Sequence, residues 1–164
     1  MRRALGVAAA LLATSAWAED ATINAVQLPT FQGAGVGERL QGLTYLGGLQ
    51  LSSATDTFGG LSAIGFVGTD GKLVMVSDRG NFVTGQLIYD EAQRPLSLVG
   101  VQITPIRNSR GADLPSAFSR DAEALTIIER PDNRSVVRVG FENLTRVADF
   151  HLENGIPTGP AAEV

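Results

Sequence analysis

The chain has 164 residues, 19 of them glycine and none cysteine, with 18% charged residues and a formal net charge of −4. That balance excludes disulfides, thiol nucleophiles and zinc–thiolate sites, and it argues against nucleic acid or anionic membrane surfaces as partners, because like charges repel. Many glycines, few aromatics and modest charge fit a turn-rich β protein better than a helix bundle, and the length suits about one domain.

Residues 1–18 read as a cleavable secretory signal peptide. Arg2 and Arg3 form a short positive start, and Ala4 to Ala13 is apolar but too short to cross a bilayer. Ala16-Trp17-Ala18 places small residues where a signal peptidase reads. The rest of a twin-arginine pattern is missing. Cleavage after Ala18 implies a secreted or periplasmic protein, whose charge becomes −6 once the two arginines leave. No later segment is apolar enough for a membrane helix, so a soluble mature protein is expected. Residues 19–42 read as an N-terminal extension or loop. Within them Gly33-Ala34-Gly35-Val36-Gly37 matches part of a dinucleotide fingerprint but lacks its strand and helix, so it reads as a flexible loop.

Residues 43–164 form the β domain, a series of short β-like runs between turn residues. Leu43–Leu46 and Leu49–Leu51 flank Gly47-Gly48. Ala63–Val67 leads through Thr69-Asp70-Gly71-Lys72 to Leu73–Val76, the clearest hairpin, since Asp-Gly suits a type I′ turn. Phe82–Tyr89 and Ser97–Ile103 are further strands. Asn108–Arg120 is polar and reads as a loop, with one helical turn near Ser116. Ala124–Ile128 and Val136–Val139 flank a turn at Pro131-Asp132-Asn133-Arg134. Arg146–Leu152 alternates at Ala148, Phe150 and Leu152, and Asn154-Gly155 signals another turn.

Two segments look alike. Gly59–Ile64 precedes a tight turn and a strand ending at Ser77-Asp78-Arg79, and Asp121–Thr126 precedes another ending at Gly140-Phe141-Glu142. Repeated units of this size suggest a radial or stacked β architecture.

At these residues the chain resembles the phytase-like family, described as having the esterase-like activity of phytase. The matching stretches are Phe58-Gly59-Gly60-Leu61-Ser62, Val76-Ser77-Asp78-Arg79-Gly80, Asp121-Ala122-Glu123-Ala124-Leu125 and Phe141-Glu142. The resemblance runs from about Leu43 to Val164 and implies an all-β, propeller-like array of antiparallel hairpins. Family members run well beyond this length, so the array is expected to be incomplete, the N-terminal portion of a longer protein.

The resemblance implies a hydrolase of a phosphate ester or related ester, acting on a small molecule. Asp78, Asp121, Glu123 and Glu142 sit at expected strand ends, where they can converge on one opening as ligands for Ca2+ or another divalent cation. Asp78 and Glu142 are the expected catalytic pair, and Arg79 the expected phosphate contact. The plain alternative makes these carboxylates turn and cap residues. Arg107 and Arg110, in or beside the long loop, read as ordinary ion-pairing residues. Gly60–Gly65 narrowly misses a G-x-S-x-G elbow, and His151 is the sole histidine, so a Ser62–His151 pair is the serine-hydrolase alternative. Asn133-Arg134-Ser135 and Asn143-Leu144-Thr145 are formal glycosylation triplets. Two other classes stay open: a non-catalytic propeller of the cell envelope that binds a sugar, small anion or partner, and a calcium-stabilised structural domain.

Overall fold

The computed structural model describes residues 18–131, 135–143 and 146–162. Most of the signal segment, most of the turn at Pro131–Arg134 and parts of both glycosylation triplets lie outside the described residues. The fold is nearly all antiparallel β, in a propeller-like arrangement built on two blades.

In the first blade, β8 (Leu61–Val67), β9 (Lys72–Ser77), β10 (Asn81–Tyr89) and β11 (Pro95–Pro105) pair in sequence order, and β1 (Glu19–Ala21) adds a fifth strand beside β11. In the second, β12 (Ala122–Ile128), β13 (Val136–Phe141), β14 (Arg146–Glu153) and β15 (Ile156–Ala162) do the same. Between the blades, α1 (Ala117–Arg120) forms the expected helical turn. Ser116 caps it, its hydroxyl accepting from the Ser119 N–H while the Ser119 hydroxyl accepts from the Ser116 N–H.

Alternation along the strands buries both faces of the first blade. Val74, Val76 and Phe82 face the second blade, where they meet Val137, Val139, Phe141, Ala148, Phe150 and Leu152. Phe82 and Phe150 pack edge to face, ring centroids 5.0 Å apart. On the opposite face Leu73, Met75, Val83, Leu98, Val101 and Ile103 form a second core, covered in part by Ile23, Leu51 and Phe58.

That cover corrects the loop reading of residues 19–42. The segment holds β1, then β2 (Asn24–Leu28) paired with β7 (Gly48–Ser52), and two small hairpins. These join β3 (Thr30–Phe31) to β4 (Ala34–Gly35), and β5 (Arg39–Leu40) to β6 (Leu43–Thr44). Gly33 has a φ of 85°, the left-handed geometry a tight turn needs, so the glycine-rich stretch turns a hairpin. The Asp70-Gly71 hairpin also differs in detail. Val67 pairs with Lys72 across a four-residue loop, and Gly71 rather than Asp70 takes positive φ. The two-residue turn is Asn154-Gly155, both at positive φ, between paired Glu153 and Ile156.

The innermost strands β8 and β12 lie side by side and run in the same sense. A Cβ on Gly65 would sit 2.5 Å from Leu125 and 2.9 Å from Ile127, and the Gly68 N–H donates to Glu129 at 2.9 Å. Only glycine permits that approach. Gly65→Val is therefore expected to lower stability by about 1–3 kcal/mol through overpacking, read as a reduced melting temperature.

On the far face of the second blade, Arg138 donates twice to Asp149, at 2.7 and 2.9 Å, where Asp149 is 8% exposed. The Arg138 bonds hold the Asp149 carboxyl below its ordinary 3.8, so the folded state binds that proton more weakly than the unfolded chain. The pair thus stabilises the fold above that ordinary value, and the contribution is lost as pH falls through the lowered one. Asp149→Asn is expected to cost roughly 1–3 kcal/mol at pH 7. In urea titrations the gap to the parent should close as the pH is taken below 3.8.

Candidate functional site

The two blades open in the same way. Leu61 pairs with Ser77 and Ala63 with Val76, which leaves Ser62 as an extra residue in β8. Ala122 pairs with Phe141 and Ala124 with Gly140, which leaves Glu123 as an extra residue in β12. Just before each bulge, one backbone bond recurs: the Asp78 N–H donates to Gly60 at 2.9 Å, and the Glu142 N–H to Asp121 at 3.0 Å. Asp78 is therefore the counterpart of Glu142, Ser62 of Glu123, and Gly60 of Asp121. Bulges re-aim side chains beside functional sites, and this one re-aims Glu123.

Asp121, Glu123 and Glu142 each offer a carboxylate oxygen, and all three oxygens lie within 4.8 Å of one another. The set can hold a metal ion. Shielding from water, then the negative charges of Asp121 and Glu142, raise the Glu123 carboxyl above its ordinary value, and Asp78 adds to the effect. The Asn143 amide donates to Asp121 and fixes its direction. Asp78 stands beside this trio rather than within it, contributed by the first blade.

Gly59 and Gly60 explain how the first blade seats its two charged residues. Gly60 has a φ of 61°, and a Cβ there would fall 1.8 Å from an Asp78 carboxylate oxygen. Asp78 therefore lies across a backbone that has no side chain to displace it. Gly59, at a φ of 131°, lies under the Arg79 guanidinium, whose Nη1 donates to the Asp56 carbonyl at 2.7 Å.

Asp78, Arg79, Arg120 and Asp121 line one cavity of roughly 910 Å3, with Ile106 and Phe118 among its apolar walls. Arg120 crosses the turn after β9 because Gly80 lies beneath its stem, where a Cβ would come 2.7 Å from the arginine. Glu123 and Glu142 face a neighbouring hollow with Phe141 and Arg146. The Arg146 guanidinium lies 4.2 Å from the Phe141 ring centroid.

All five site residues expected from the sequence thus gather around one end of β8 and β12. Sequence reasoning missed Arg146, Asp56 and Phe118, and read Asn143 only as the start of a glycosylation triplet. A loop or a neighbouring strand carries each to the site. Arg107 stays apart, paired with Asp113 at 3.2 Å and donating to the Gly111 carbonyl, in keeping with its plain reading. The serine-hydrolase alternative has no geometry behind it. Ser62 lies at the Leu61 end of the inner strands, whereas His151 pairs with Val136 at the Ile128 end of its blade.

Gly60→Ala places a methyl group on Asp78 and forces left-handed φ on a side-chain residue, at about 1–2 kcal/mol. The variant is expected to melt lower than the parent. Replacing Asp78 by Ala in the same chain should restore part of the loss by removing the clash.

No curated protein and no solved structure gives a match to the chain. The family model described as phytase-like, esterase-like activity of phytase, matches residues 56–162. That span holds both blades from β8 to β15 and every acidic residue of the site, so the chain belongs to the phytase-like family.

Proposed function

We propose that this chain is an exported phosphate-ester hydrolase that works with a divalent cation. One observation carries the reading: carboxylates from two blades meet beside two arginines at the end of a cavity. Family membership supports hydrolysis, and the side chains supply the finer assignment.

The donor set fits a hard cation. It is made of carboxylate oxygens alone, and shielding from water and the charges of Asp121 and Glu142 raise the Glu123 carboxyl, so a cation there would relieve like-charge crowding. Asp121, Glu123 and Glu142 would hold the ion, which when bound supplies positive charge to a phosphoryl oxygen. Arg79 and Arg120 take other phosphate oxygens through their guanidinium forks. Asp78 accepts a proton from the attacking water. The water oxygen bonds to phosphorus as the ester P–O bond breaks, and the leaving oxygen takes a proton from solvent.

Export rests on the signal-like residues 1–18. Glu19 opens β1, so cleavage after Ala18 keeps the first blade whole. Intact-mass measurement of secreted protein is expected to find Glu19 at the N-terminus, and a chain retaining Met1 would refute that cleavage.

Asp78→Asn combined with Glu142→Gln is expected to lower phosphate-monoester turnover by about 10²-fold or more. Calcium should raise the melting temperature of the parent, as any ligand of the folded state does, and Glu142→Gln should abolish the rise. Full activity in the double variant, or a calcium response unchanged by Glu142→Gln, would sink the assignment.

A further inference from the structure

We infer that Arg146 is a built-in counter-charge for Asp121, Glu123 and Glu142, one that loosens their hold on a cation and favours divalent over trivalent ions. The inference rests on the cation reading above and adds what sets the affinity and charge preference of that site. Its first support is the way Arg146 is held. It opens β14 directly opposite Phe141, the last residue of β13, and such partners share a face of the sheet. Its guanidinium covers the Phe141 ring at 4.2 Å, and Nη2 donates to the Ser119 carbonyl on α1 at 3.4 Å. Its Nε is shielded from water and has no hydrogen-bond partner among the described residues. A side chain gripped by a ring and a carbonyl brings a charge that stays in place.

The second support is where that charge stands. Arg79 and Arg120 line the cavity on the side of Asp78 and Asp121. Arg146 is the one cationic side chain lining the hollow that Glu123 and Glu142 share. Among the described residues it forms no ion pair with either glutamate, so it leaves their oxygens open to a ligand and acts on them through space. The third support is charge balance. The three carboxylates, their oxygens within 4.8 Å of one another, are balanced by one divalent cation and one guanidinium, whereas a trivalent ion would overshoot. A fixed positive charge repels an arriving cation in proportion to the cation's own charge. Without a cation, the same guanidinium offsets the mutual repulsion of the three acids.

The probes are calcium and terbium, and their binding to the full chain is measured by calorimetry at low ionic strength. Arg146→Gln is expected to bind calcium roughly tenfold tighter and terbium about thirtyfold tighter, the logarithms standing in the ratio of the ion charges. Arg146→Met, which keeps an apolar chain on the Phe141 ring, should repeat both gains. Arg146→Lys keeps the charge and should stay close to the parent for both ions. Added salt should shrink the gap between Arg146→Gln and the parent. In the absence of either ion Arg146→Gln should melt below the parent, and calcium should narrow that difference. A purely structural role for Arg146 predicts the opposite sign, because losing its grip on Phe141 would loosen the three acids and weaken both ions. Weaker binding in Arg146→Gln and Arg146→Met, or equal gains for calcium and terbium, overturns the inference and leaves the cation site standing. Should neither the parent nor the variants bind calcium, the cation reading fails and the inference with it.

Discussion

The fold depends on the contact between β8 and β12 at Gly65. Two inner strands from different blades approach until there is no room for a methyl group between them. That closeness brings Asp78, borne by the first blade, within reach of the three carboxylates of the second. It also seals the larger core, because Val74 and Val76 can meet Val137 and Val139 only at this spacing. Packing and chemistry therefore share one requirement. A looser interface would weaken the core and separate the charges together.

The two blades share a backbone and differ in side chains. Each has a bulge at the same place and the same backbone bond just before it. The second blade places carboxylates at all three corresponding positions, Asp121, Glu123 and Glu142. The first has Gly60, Ser62 and Asp78. Gly60 leaves the room that Asp78 occupies, and the neighbouring Gly59 leaves the room for Arg79. One unit thus concentrates negative charge, and the other seats one acid and one base at its border. The same fold element does two jobs because small residues in one copy stand where charged residues stand in the other.

Much of this was legible in the residues. The turn at Ser116 follows from its capping serine, and the likeness of Gly59–Ile64 to Asp121–Thr126 reflects a true structural equivalence. The gathering of the acids was expected from their places at strand ends. The bulges were not legible, because an extra residue in a strand leaves no compositional mark, and they decide where Glu123 points. β15 was hidden for another reason. Pro157 and Pro160 argue against a strand in sequence, yet they sit on the outer edge of the blade, where a missing N–H costs no ladder bond. The strands of residues 19–42 were hidden because their partners are remote or their hairpins very short.

Glu19 lies opposite Ile103 in β1 and β11, and everything from β2 to β10 lies between them in the chain. Closing so long a loop costs more entropy than closing any of the hairpins it encloses. The fifth strand therefore docks late, after the hairpins of the first blade have formed. Until then the outer edge of β11 is bare, and an unpaired edge of this length is where another chain can add a strand. β1 acts as the final latch on the first blade, so yield on refolding should depend on protein concentration most strongly when residues 19–21 are absent.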